Sequence, residues 1–154
     1  MNTISTIISK PKFASTEQPV LAIDGVPIYQ WVKSQIFDID GNDDTHTLVP
    51  AQTWLYDQDE SRIAWELLEP THEGATVAPL LVCPDDMDLN CTVVVVEQIV
   101  DKKTVEWRRF GLSINHINGV VTSVRWSELE QRAIFDRTQF EEAFLDFKRL
   151  SPSY

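Results

Sequence analysis

The chain of 154 residues carries 24 aspartates and glutamates against 13 lysines and arginines, a formal charge of −11 at neutral pH. That length suits one domain burying about two thirds of the surface its unfolded chain exposes. The negative excess repels phosphate backbones and anionic lipid, which argues against nucleic acid or a membrane surface as a partner.

Residues 1–18 show no sustained period and read as a loosely held N-terminal arm, with residues 19–154 as a single domain. The arm lacks the charged and apolar regions of a secretory signal, and no apolar run reaches the roughly 18–20 residues that cross a bilayer. The expectation is a cytoplasmic protein whose two cysteines, Cys83 and Cys91, are reduced thiols. Val20 to Ile23 is a short apolar run closed by the turn signal Asp24-Gly25. Pro27 then suits a first helical position, and Ile28, Trp31, Val32 and Ile36 recur at helical spacing, predicting a short helix over 27–36. An acidic loop follows, with Asp38, Asp40, Asp43 and Asp44. Residues 47–55 are ambiguous, since Pro50 argues against a central strand. Ile63, Ala64, Leu67 and Leu68 predict a second helix over 59–68, its first turn carrying Asp59 and Glu60.

From Ala78 to Ser127 the pattern is β. Residues 80–83 and 91–100 read as a pair of buried strands, because the four valines Val93 to Val96 leave no polar face. Their connector places Asp85, Asp86 and Asp88 at an exposed tip. Residues 105–112 alternate, with Val105, Trp107 and Arg109 on one face and Glu106, Arg108 and Phe110 on the other. After a loop over 113–119, Asn118-Gly119 signals a hairpin into strand 120–126, with Val120, Thr122, Val124 and Trp126 on one face. A last helix over 139–149 carries the apolar stripe Phe140, Ala143, Phe144 and Phe147, with Thr138 and Glu141 as its capping box. The fold class is therefore α+β: an antiparallel sheet of at least four strands against a C-terminal amphipathic helix, with two short N-terminal helices.

Charge is concentrated. Between Phe37 and Pro70 stand nine acids and one base, so that segment alone carries −8 of the −11. Such a stretch is either a solvated face or a docking surface for a basic protein. Asp85, Asp86 and Asp88 read in the same two ways, as turn formers bonding nearby amides or as partner contacts. Calcium would need alternate oxygen ligands, a glycine and a distal glutamate, which this connector lacks. Zinc would need four ligands in motif spacing, and Cys83, Cys91, His46, His72 and His116 have none. No nucleophile elbow, zinc-protease helix, phosphate loop or dinucleotide fingerprint occurs, so no catalytic residue, metal ligand or cofactor is expected. Trp107 to Phe110 is the one basic-aromatic cluster, with Trp107 expected in the core and Arg108 or Arg109 paired with sheet carboxylates.

The run VCPDDMDLNCTVVVV, followed by VEWRRFG, Trp126 and the phenylalanine-rich terminal helix, resembles small bacterial proteins of the immunity type. The resemblance covers roughly residues 20–150 and lies in size, acidity and layout. It implies a cytosolic antidote that binds a basic toxin domain stoichiometrically, and it assigns no residue a role. The acidic segments 38–44 and 85–88 are the candidate contacts, named residue by residue as Asp38, Asp40, Asp43, Asp44, Asp85, Asp86 and Asp88. Two alternatives stand beside it: a small enzyme with an unrecognised carboxylate or thiol site, and a structural subunit that assembles through a sheet edge.

Overall fold

The computed structural model describes residues 1–12, 14–32, 48–90, 92–128 and 130–152. Among these residues two antiparallel sheets form. The smaller joins β1 (Ile4–Ser9), β2 (Gln18–Ile23) and β3 (Val26–Pro27) in that order. The larger runs β4 (Val49–Pro50), β5 (Gly74–Val82), β6 (Val93–Val100), β7 (Thr104–Ile117) and β8 (Val120–Trp126), with β9 (Ala133–Asp136) also on β7. Four helices complete the described residues: single turns α1 (Ile28–Trp31) and α2 (Ala51–Trp54), then α3 (Gln58–Leu68) and α4 (Arg137–Leu150). The α+β class and the terminal helix stand as the sequence predicts.

Strand β6 explains the architecture. Val93 to Val96 are all buried, with Val94 and Val96 in one apolar cluster and Val93 and Val95 in another. The first cluster gathers α4, β1 and β2. Trp107 is wholly buried there, edge-on to Phe135 at 5.3 Å and to Phe140 at 6.0 Å. Its indole N–H donates to Gln98 Oε1 at 2.9 Å, and Gln98 Nε2 donates to the Leu68 carbonyl. The buried glutamine thus satisfies one polar group on each side, which is the condition for keeping it inside. On the opposite face α2 contributes Ala51, with Leu55 and the connector residue Leu89 beside it.

Several expectations are corrected. Residues 4–9 are strand β1, paired with β2 from Ile4↔Ile23 to Ser9↔Gln18, and are not part of a loose arm. Asp24 holds that end down by accepting from the Thr3 amide at 2.8 Å and from Asn2. Strand β7 does not alternate regularly. Glu97 pairs with Arg109 but Gln98 pairs with Trp107, so Arg108 is an extra residue in the strand. This bulge puts Trp107 and Phe110 on one face and turns Arg109 to the other. Two further irregularities lie in the β7–β8 pairing, between Ser113 and Asn115 on β7 and between Ser123 and Val121 on β8, and Val121, Val124 and Trp126 pack against the second cluster. The predicted loop 113–117 is a continuation of β7, leading into the expected Asn118-Gly119 turn with φ of +52° and +86°. Helix α4 is capped by Asp136, whose side chain accepts from the Gln139 amide, rather than by Thr138. The chain is already helical at Arg137, so Thr138 is the second residue inside the helix and does not cap it. The residues predicted as helix 27–36 are helical over Ile28–Trp31, and 33–36 lie outside the described residues.

The basic-aromatic cluster is internal, as expected. Arg109 lies with its guanidinium carbon 3.9 Å from the Trp126 ring centre and bonds Glu97 through two nitrogens. Arg108 and Arg132 share Glu106. No helix among the described residues is long and apolar enough to cross a membrane.

Candidate functional site

The pairing Val82↔Val93 closes the end of β5 and β6, and the connector between them meets two other elements. Its backbone turns over Pro84–Asp86, and the Met87 amide donates to the Cys83 carbonyl at 3.1 Å. Met87 itself has φ of +52°, a left-handed conformation that costs a bulky side chain about 1–2 kcal/mol. The Met87 carbonyl then accepts the Tyr56 amide at 2.9 Å. This bond ties the connector to the corner between α2 and α3. The Tyr56 side chain is 83% exposed.

The same corner starts α3. Asp57 caps it, with Oδ1 accepting from the Asp59 amide at 2.9 Å and the Glu60 amide at 3.1 Å. Glu60 in that first turn points back toward the connector. Burial and then the neighbouring Asp57 push its carboxyl above the ordinary glutamate range; Asp88 adds to the rise, while His116 and the Leu89 amide oppose it. One Glu60 oxygen, Oε2, is buried with no hydrogen-bond partner.

The third element is the β7–β8 hairpin. The last pairing of β7 with β6 is Leu112↔Val94, so residues 113–117 are held by β8 alone and overhang the sheet. The overhang reaches α3. A Cβ on Gly119 would stand 3.0 Å from Ile63 Cδ1 and 3.6 Å from the Glu60 Cα. His116 Nε2 lies 3.0 Å from Asn90 Oδ1, and its Nδ1 is buried without a partner. On the other side of the hairpin the cross-strand pair Ile117 and Val120 is exposed, as is Ile114.

Asp85 and Asp86 are exposed on the connector, as expected. Asp88 is half-buried, and its Oδ1 accepts from the Asn90 amide at 2.9 Å, so this aspartate does turn chemistry. Asp88 is also the one sequence-predicted residue brought into the electrostatic field of Glu60. Asp38, Asp40, Asp43 and Asp44 lie outside the described residues. Sequence reasoning named Glu60 as a first-turn acid and weighed His116 as a zinc ligand but made neither a site residue, and it gave Tyr56 and Asp57 no role. Only the segment charge from 57 to 60 signalled part of the group. Among the described residues no three of His, Cys, Asp or Glu converge closely enough to hold a metal ion.

The expectation of reduced thiols is corrected for Cys83, which is disulfide-bonded. The sequence holds one other cysteine, Cys91, outside the described residues.

Chemically, this pole combines fixed negative charge from two segments with an exposed aromatic ring held by a backbone bond. That combination suits recognition of a cationic surface. No family model, curated protein or solved structure matches this chain.

Proposed function

We propose that this protein is a binding module of the immunity type, which captures a basic protein partner, a toxin domain, in a stoichiometric complex. The observation that carries this reading is the bond from the Tyr56 amide to the Met87 carbonyl. It ties the main chain of an exposed tyrosine, beside Asp57 and Asp59 at the start of α3, to the connector that carries Asp85, Asp86 and Asp88. Aromatic residues are enriched among those that dominate binding energy, while surrounding charges mainly accelerate encounter. Neither nucleic acid nor membrane is part of this proposal, and a cytoplasmic setting is.

The test is isothermal titration against the basic product of a neighbouring gene. The reading requires one-to-one binding that Tyr56→Ala weakens at least about tenfold, the size of loss expected for an anchor worth more than 1 kcal/mol. Full affinity in Tyr56→Ala, or a partner that proves acidic, would remove the pole from the interface.

A further inference from the structure

Two buried polar atoms without partners meet at the end of the connector. His116 Nε2 lies 3.0 Å from Asn90 Oδ1. That oxygen can only accept, so Nε2 carries the hydrogen and Nδ1 of the neutral ring is a bare acceptor. The His116 Nδ1 is buried without a partner, and so is Glu60 Oε2. Both side chains reach the same two residues: the Leu89 amide bears on the Glu60 carboxyl, and the next residue, Asn90, holds His116. The hairpin also presses on this turn of α3, since a Cβ on Gly119 would stand 3.6 Å from the Glu60 Cα. Two acceptors buried at one corner lack a hydrogen to share, and a buried polar atom left unpaired is costly.

We infer that Glu60 Oε2 and His116 Nδ1 form a proton-operated latch: one proton from solvent, shared between them, fastens the β7–β8 hairpin to α3 and the connector, and its loss frees the hairpin while the sheet stays folded. The hairpin can move alone because residues 113–117 pair with β8 only, whereas β6 is held by β5 on one side and β7 on the other. Among the described residues, the charged groups bearing on Glu60 are Asp57 at the start of α3, Asp88 in the connector and His116 in the hairpin. Burial first, then Asp57 and more weakly Asp88, hold its carboxyl above the ordinary glutamate range against His116 and the Leu89 amide. The closed hairpin therefore binds the proton more tightly than an open one with an ordinary glutamate. Closure is favoured most below the ordinary range, and that advantage is lost as pH rises through the raised value. As a control on partner capture the latch rests on the binding proposal: the proton removes one negative charge from the pole, so a basic partner should bind more weakly in the same window. Its test needs no partner.

The experiment is hydrogen exchange on the full chain from neutral to mildly acid pH, each rate divided by that of an unstructured chain at the same pH. At neutral pH the amides of residues 113–120 should exchange faster than those of Val94 and Val96, as expected when one local unit opens independently of the core. Acidification should raise their protection roughly threefold or more. Glu60→Gln places an amide N–H where the shared proton would sit, and should show the acid level of protection at neutral pH with no further rise. His116→Phe keeps a ring but removes the acceptor, and should lose the rise although Glu60 is still present. That second variant separates the latch from a glutamate raised by burial and aspartates alone, which would keep its pH dependence. Three results would overturn the latch: protection at 113–120 that is flat or falls toward acid pH, exchange there no faster than at Val94 and Val96, or an acid rise that survives in either variant. A basic partner whose affinity ignores pH, in a protein that shows the expected exchange, would count against the docking surface alone.

Discussion

Glu60 and Asp88 come from different segments of the chain, yet at the pole where α3 meets the β5–β6 connector Asp88 helps hold the Glu60 carboxyl above its ordinary range. With Asp57 also beside it and burial dominating, the Glu60 carboxyl titrates above its ordinary range. Ionised Glu60 therefore works against folding, and the protein keeps it at the surface proposed to bind.

The first prediction follows from the sign of that shift. A carboxylate raised on folding binds its proton more tightly in the native state, so its favourable contribution is complete below the ordinary glutamate range. It is lost as pH rises through the raised value. Glu60→Gln should accordingly raise the melting temperature at pH 7, and the gain should shrink to nothing as the pH is lowered into the ordinary carboxylate range. A pH series of thermal melts on both proteins reads this directly. A gain that grows toward acid pH would show that Glu60 is stabilised by His116 and the Leu89 amide more than it is opposed.

The second prediction concerns a glycine required by space. A Cβ on Gly111 would meet the Arg125 carbonyl oxygen at 2.7 Å and Val124 Cγ1 at 2.6 Å. Backbone cannot move aside cheaply, so Gly111→Ala should cost about 1–3 kcal/mol, the usual range for overpacking. The β7–β8 pairing is where the loss should be felt, as faster exchange in β8. Urea titration measures the cost, and a neutral result would mean the hairpin can shift as a unit.

The third prediction tests the buried glutamine. Replacing Gln98 by leucine keeps the volume but leaves the Trp107 indole N–H and the Leu68 carbonyl unpaired. Each buried orphan costs about 1–3 kcal/mol. Trp107→Phe adds a cavity cost of its own, so the test is the coupling: the Trp107→Phe, Gln98→Leu pair should lose less stability than the sum of the two single losses, because the indole orphan is removed with its partner. A double-mutant cycle by chemical denaturation separates the terms.

Much of this fold was legible in the sequence because its strongest elements are local. The four valines of β6, the Asn118-Gly119 turn and the phenylalanine stripe of α4 each specify their structure within a few residues. The errors came where tertiary pairing decides. β1 is a short strand that pairs with the next one, β2, and β9 pairs back past β8 to β7; neither carries a pattern strong enough to announce itself. The bulge at Arg108 reverses the faces of the β7 residues that directly follow it, and no composition rule locates it. At the candidate site, Asp85, Asp86 and Asp88 were visible as charge. The placing of Glu60 near Asp88 and His116 was not, because it depends on how far the β7–β8 hairpin overhangs β6.

The fourth prediction sorts the connector aspartates. Asp85 and Asp86 are exposed, so Asp85→Asn with Asp86→Asn should leave stability within about 0.5 kcal/mol. Asp88→Ala removes the acceptor of the Asn90 amide and should cost about 1 kcal/mol, whereas Asp88→Asn keeps an oxygen there and should cost less. Thermal melts of the three variants give the order. Equal losses at all three positions would make the whole connector turn chemistry and leave no charge free for a partner.

Electrostatic capture by the pole is tested most directly by the association rate of the basic partner with the Asp85→Asn, Asp86→Asn, Asp88→Asn triple variant across a range of salt. Steering by surface charge predicts a slower on-rate at low salt and a flatter dependence on ionic strength, with the rates of variant and parent converging at high salt. An on-rate at low salt equal to that of the unaltered protein, in a variant that remains folded, would contradict it.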